Sequence, residues 1–183
     1  ARSILADPRS PSMQHTLNMR VKYRESFRPF ASAVLREDVA DWFEIDCDSP
    51  YMLFTADVVK NRRRQVTKEE QALFGVEKLN VSRSEIPAVT HVDYSSRIQT
   101  VDRKTNLRLH RLLSNFKERT NCPVLVNTSF NVRGEPIVCS PKDAFLCFMG
   151  TEIELLVIGN FVLYKERQDQ RLKMNYSAAF EPD

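Results

Sequence analysis

The stretch CPVLVNTSFNVRGEPIV, residues 122–138, constrains this chain more than any other. Its first five residues form an apolar run of the kind that a buried strand requires. The run then gives way at once to Asn127, Thr128, Ser129, Asn131 and Arg133, and Gly134 and Pro136 close the loop. A plain turn needs one or two such residues, so this density of hydrogen-bonding groups marks the rim of a site. In open α/β sheets ligands sit beyond the carboxyl ends of strands, where this loop lies. Alternation along the strand places Asn127 and Ser129 on one face. Arg133 and Glu135 are expected to hold the loop as an ion pair.

Around this strand the remaining elements alternate irregularly. Ser10-Pro11 reads as a cap and first position for a short helix over MQHTLNMRVK, FRPFASAVL as extended, DVADWFE as a short helix and PYMLFTADVV as a strand. HVDYSSRIQTV is extended. TNLRLHRLLSNFKERT carries Leu109, Leu112, Leu113 and Phe116 at amphipathic-helix spacing. SPKDAFLCFMG has Ser140 as N-cap, Pro141 at the first position and Gly150 after the end, with Ala144, Phe145, Phe148 and Met149 facing inward. ELLVIG and NFVLYKE flank Gly159-Asn160, a hairpin signal. The order predicts an α/β, or mixed α+β, domain around one twisted sheet over residues 1–165. Residues 60–86 read as a charged surface excursion with a Thr67–Glu70 capping box, and residues 166–183 as a polar, disordered or tag-like tail. The opening on Ala1 instead of Met, running at once into RSILADPRS, reads as a cut from a longer protein.

Several function classes are excluded or disfavoured. The net charge of +3 is too small for a dedicated nucleic-acid binder. No 18-residue apolar run predicts a membrane span, and no leader is visible. The four cysteines (47, 122, 139 and 147) lack metal spacing and read as reduced, mostly buried thiols, which places the chain in the cytoplasm. With four glycines and neither glycine-rich phosphate motif, any phosphate binding must use side chains.

Two clusters offer such side chains. KYRESFRPF brings Lys22, Arg24 and Arg28 onto one face with Ser26 if the segment is extended. A solvated basic edge paired with Glu25 or Glu37 accounts for the same residues equally well. In THVDYSSRIQTV, alternation puts Ser95, Arg97 and Gln99 together, and His91 with Asp93 fits ordinary turn chemistry. The triplet Arg62, Arg63, Arg64 reads as a solvated loop rather than a phosphate patch.

RSILADPR, KYRESFRPFASAVL, PAVTHVDYSSRIQTV and PVLVNTSFNVRGEPIV with SPKDAF, taken in order, resemble the C-terminal region of the NodU-type O-carbamoyltransferases. The resemblance spans Arg2 to about Lys165. It implies a YrdC-like domain with a largely mixed, open, twisted sheet flanked by helices. It further implies that this domain takes ATP with Mg²⁺ and carbamoyl phosphate and forms carbamoyl adenylate. An N-terminal ASKHA-type domain, absent here, would hold iron and pass the carbamoyl group to the hydroxyl of a small molecule or sugar. Carried over by position, the nucleotide and phosphate contacts fall on Lys22, Arg28, Arg97, Asn127 and Ser129. Arg24 joins them in the binding set, and Lys22 and Arg28 form the catalytic pair. No metal ligand is implied in this chain. One family arginine lies upstream of Ala1, Tyr94 replaces a small residue, and the 60–86 excursion is longer than in antibiotic-modifying members. Competing readings are a basic-faced RNA-binding module and a non-catalytic docking domain.

Overall fold

The computed structural model describes residues 2–173 together with Tyr176, Ala179 and Phe180. Along the chain run β1 (Ser3–Ala6), α1 (Met13–Thr16), β2 (Ala31–Leu35), α2 (Val39–Trp42), β3 (Phe54–Asp57), α3 (Lys68–Ala72) and α4 (Gly75–Leu79). They are followed by β4 (Ser95–Val101), α5 (Leu107–Thr120), β5 (Val124–Ser129), α6 (Pro141–Gly150), β6 (Leu155–Ile158) and β7 (Phe161–Tyr164). The chain divides into two compact units. A sheet unit comprises Leu5–Gln14 and Phe27–Thr128, and a hairpin unit comprises Ala1–Ile4, His15–Ser26 and Ser129–Asp183.

A mixed five-stranded sheet in the order β1-β5-β2-β4-β3 meets the expected fold class. Strand β2 pairs parallel with β4 and antiparallel with β5, while β3 closes one edge antiparallel to β4. All five residues of β2 are buried, so this central strand is covered on both faces instead of alternating between core and solvent. On one face Ala33, Leu35, Val101 and Leu125 form a cluster with Leu113 of α5, and Leu109 and Phe116 pack against it. Leu112, included in the expected apolar stripe, points outward at 47% exposure. Asn106 caps α5 through the Leu109 amide, and Asn121 ends it in the left-handed conformation at φ 57°. Polar groups of the opposite face are satisfied internally. Ser32 and Ser96 share a hydroxyl hydrogen bond of 2.6 Å, and the Thr100 hydroxyl accepts from the Ser49 amide at 2.8 Å.

Two strands are shorter than the sequence implies. PYMLFTADVV becomes extended only at Phe54, because residues 49–52 form a turn with Met52 at φ 58°. HVDYSSRIQTV enters β4 only at Ser95, after a turn in which Tyr94 takes φ 69° and the Asp93 carboxylate accepts from the Ser95 amide and hydroxyl. The 60–86 excursion is ordered by its arginines rather than solvated. Arg62 stacks on Trp42 at 4.3 Å and pairs with Glu85, Arg63 pairs with Asp57 and Glu44, and Arg64 pairs with Glu70. The Thr67–Glu70 capping box forms as expected.

In the hairpin unit, α6 starts with a reciprocal Ser140–Asp143 capping box and Pro141 in its first turn. Its buried residues are Ala144, Cys147, Phe148, Met149 and Gly150, whereas Phe145 is half-buried. Gly150 is the last helical residue instead of following the helix. The β6–β7 hairpin turns at Gly159 with φ 59°, as expected. Of the cysteines only Cys122 and Cys147 are buried, while Cys47 and Cys139 are exposed, so half of the expected burial is present.

Leu113 and Leu112 separate core from surface on one helix. Leu113→Ala should cost about 2–5 kcal/mol of unfolding free energy through lost burial and a residual cavity. Leu112→Ala should change it by roughly 0.5 kcal/mol at most. Urea denaturation of both variants, compared at equal m-value, checks this difference.

Candidate functional site

Residues 22–28 are not extended, which removes the shared face expected for Lys22, Arg24 and Arg28. A π-helical turn over Leu17–Val21 closes with the Lys22 amide donating to the Leu17 carbonyl at 2.8 Å, and Tyr23 then takes φ 49°. The three cations part as a result. Lys22 is buried at 4% exposure, Arg24 is half-buried and donates to the Asn18 side-chain oxygen at 2.7 Å, and Arg28 is exposed.

The structure does bring Lys22 and Ser129 together, from positions 107 residues apart. The Lys22 Nζ donates to the Ser129 carbonyl at 2.6 Å and lies 3.2 Å from its Oγ. It also donates to the Asn131 carbonyl at 2.9 Å and the Asn131 Oδ1 at 2.8 Å. A buried ammonium needs this many oxygen partners, since desolvation otherwise disfavours the charge. Burial, followed by the nearby Arg24 charge, pulls Lys22 down from the ordinary 10.5 to about 8, so it remains cationic at neutral pH. In turn the lysine shapes the loop. The Ser129 hydroxyl donates to Asn131 Oδ1 at 2.6 Å, and the Asn131 amide donates to the Glu135 carbonyl at 2.6 Å. Gly134 takes φ 73° at the turn, where the Glu135 amide donates to the Val132 carbonyl.

The expected Arg133–Glu135 ion pair does not form. Arg133 pairs with Glu25 at 3.5 Å, while the buried Glu135 carboxylate accepts from the Val132 amide at 2.8 Å. The left-handed Gly134 reverses the chain and turns the two side chains to different partners. Asn131 holds together what sequence reasoning assigned to Ser129 alone. Its position two residues beyond Ser129, inside the same polar run, was the available signal.

In the sheet unit, Arg97 and Asn127 occupy the polar end of the face that α5 covers elsewhere. The burial pattern of β4 confirms the expected alternation: Ser95, Arg97 and Gln99 point outward, and Ser96, Ile98 and Thr100 inward. The Asn127 amide donates to Gln99 Oε1 at 2.7 Å. That bond crosses β2, because Asn127 pairs with Ala31 and Gln99 with Ala33, and alanine leaves the space above the strand open. Arg97 is exposed one turn of the pleat further along, and among the described residues no ion pair or side-chain hydrogen bond engages it. A separate cleft of about 560 Å³ in this unit is lined by Lys60, Arg63, Arg64 and Tyr94. The Tyr94 ring lies 4.8 Å beneath the Arg63 guanidinium.

Burial pushes the Cys122 thiol up to about 11, and burial together with Glu135 pushes Cys147 up to about 12. Among the described residues no group of three or more His, Cys, Asp or Glu side chains could hold a metal ion. Among the described residues no helix is long and apolar enough to cross a membrane.

A mixed sheet flanked by helices makes this an α/β protein, with an exposed arginine at the polar end of the sheet in one unit and a loop bound to a buried lysine in the other. Residues 1–165 match the carbamoyltransferase C-terminus family, and the chain belongs to that family. It is 59% identical over 170 residues to an uncharacterized protein of Synechocystis, covering 93% of this chain and 28% of that protein. It is 42% identical over 164 residues to the nodulation protein NolO of Bradyrhizobium diazoefficiens, covering 90% and 27%. With the 3'-hydroxymethylcephem-O-carbamoyltransferase of Streptomyces clavuligerus it shares 35% over 159 residues, covering 87% and 26%. The chain thus spans about a quarter of the length of these relatives.

The depressed Lys22 value has a direct consequence. Between pH about 8 and 10.5 the unfolded chain binds the proton that the folded Lys22 has released, so this group's contribution to stability rises with pH across that window. Lys22→Met should flatten that part of the stability–pH curve. Heteronuclear NMR of the lysine side chains should place one midpoint near 8 that disappears in the variant. A Lys22 midpoint above 10 would show that the four oxygen acceptors outweigh burial.

Proposed function

We propose that this chain is the carbamoyl-adenylate-forming part of an O-carbamoyltransferase, using ATP and carbamoyl phosphate. The observation that carries the reading is Arg97: an exposed guanidinium with no side-chain partner among the described residues, on the same sheet face as the Asn127–Gln99 pair. Family membership and the names of the cephem-modifying and nodulation relatives supply the carbamoyl chemistry.

In this reading Arg97 and Arg28 offset the negative charge of phosphate groups, and the Asn127 carboxamide orients a polar edge of the nucleotide. Lys22, whose Nζ is committed to Ser129 and Asn131, acts by fixing the loop. Arg24 supports it through Asn18. A carbamate oxygen forms the new bond to the α-phosphorus of ATP. The bond from that phosphorus to the bridging oxygen of the β-phosphate breaks, and pyrophosphate leaves. Inorganic phosphate comes from the hydrolysis of carbamoyl phosphate to carbamate. Positioning and charge stabilisation suffice, and no protein nucleophile takes part. Mg²⁺ would come with the nucleotide phosphates, where it would offset their charge. Transfer to the acceptor hydroxyl, and the iron expected to accompany it, belong to an N-terminal domain outside this chain.

Arg97→Ala and Arg28→Ala should each weaken ATP–Mg²⁺ binding by about 1–3 kcal/mol, roughly 5- to 150-fold, as for a lost charge-assisted contact. Calorimetric titration with and without carbamoyl phosphate, followed by a pyrophosphate-release assay, checks this. Equal affinity in wild type and both variants would remove the site. RNA binding with a steep salt dependence, in place of ATP binding, would favour the nucleic-acid alternative.

A further inference from the structure

Residue 176 lies beyond the family-matched segment, in a tail whose sequence is polar and aperiodic. Its side chain is nonetheless buried, at 6% exposure. The Tyr176 hydroxyl donates to Glu135 Oε1 at 2.5 Å, and its ring meets Phe180 edge-on at 5.3 Å. The ring also lies over Gly150 so closely that a Cβ there would collide with it. Burial, reinforced by Glu135, raises the phenol above its ordinary range, so the hydroxyl remains a donor at every pH at which the protein is handled.

Glu135 is the point at which the tail enters the loop. One carboxylate oxygen takes the Tyr176 hydroxyl and the other takes the Val132 amide. The Glu135 carbonyl holds the Asn131 amide, and the Asn131 Oδ1 holds both the Lys22 Nζ and the Ser129 hydroxyl. A continuous set of hydrogen bonds therefore runs from the tail to Lys22 and Ser129, two of the candidate site residues of this unit. Without the Tyr176 hydroxyl, the buried carboxylate would keep only the Val132 amide and the weak Cys147 thiol beside it, an under-satisfied charge whose hold on the Val132 amide would loosen. The glycine at position 150 fits this arrangement, since any side chain there would expel the ring.

We propose that Tyr176 is a positioning residue for the 129–138 loop, acting through Glu135 to hold Asn131, Ser129 and Lys22 in place. The proposal rests on the chain's own contacts and stands whichever anion the loop serves.

Amide hydrogen exchange on the full chain tests it. Tyr176→Phe keeps the ring and removes only the hydroxyl. The Val132 amide should then exchange about tenfold faster, while sheet amides such as Ala33 and Leu125 stay unchanged. The Lys22 Nζ resonance should shift in the same variant, a response that loss of ring packing alone would not give. Gly150→Ala, which retains the hydroxyl but displaces the ring, should reproduce both effects. Val132 exchange within about twofold of wild type in Tyr176→Phe would overturn the proposal. So would a Lys22 signal that moves only in Gly150→Ala. In the unaltered chain the Tyr176 hydroxyl proton should give a slowly exchanging NMR signal, and this measurement remains decisive if either variant fails to fold.

Discussion

The ammonium of Lys22 is the constraint on which the hairpin unit is organised. A charge at 4% exposure is tolerated only when oxygen atoms replace its lost water, and here two residues supply all four. Meeting that demand fixes the carbonyls of Ser129 and Asn131 as well as both side chains. The polar residues that follow β5 are thus held by a cation, where a simple turn would have used backbone contacts alone. The left-handed Gly134 and the Glu135 carboxylate complete the loop by meeting the backbone groups that the turn leaves over.

A different constraint governs the polar end of the sheet. Central strand β2 is buried along its whole length, and its alanines are what allow Asn127 and Gln99 to meet across it. A larger residue at position 31 would occupy that space and separate the pair. The face is therefore divided between a leucine- and valine-rich half under α5 and a half lined by Asn127, Gln99 and Arg97. That division leaves the Arg97 guanidinium accessible at one end of a face whose other end is packed under α5.

The arginine triplet of the excursion illustrates the opposite fate for basic residues. Each of the three has an acidic partner, and two also lie over aromatic rings. Such pairs satisfy guanidinium groups locally and order a charged segment that has few apolar residues to bury. Proximity to carboxylates separates the basic residues: Arg62–Arg64 are engaged, whereas Arg97 has no acidic partner among the described residues.

Local signals in the sequence determined the fold class and most elements. The Ser140–Asp143 and Thr67–Glu70 capping boxes, the spacing of Leu109, Leu113 and Phe116, and the Gly159 turn each act within a few residues, so pattern alone reveals them. The ordered blocks from RSILADPR to SPKDAF likewise carried the family. Tertiary structure decided what depends on partners far apart in the chain. It buried Lys22 because a π-turn and a left-handed Tyr23 direct it toward residues 129 and 131. It paired Arg133 with Glu25 and gave Glu135 to a tyrosine 41 residues later. No periodicity encodes such contacts, because they follow from how backbone turns aim side chains, and a residue's charge fixes only that it must find a partner.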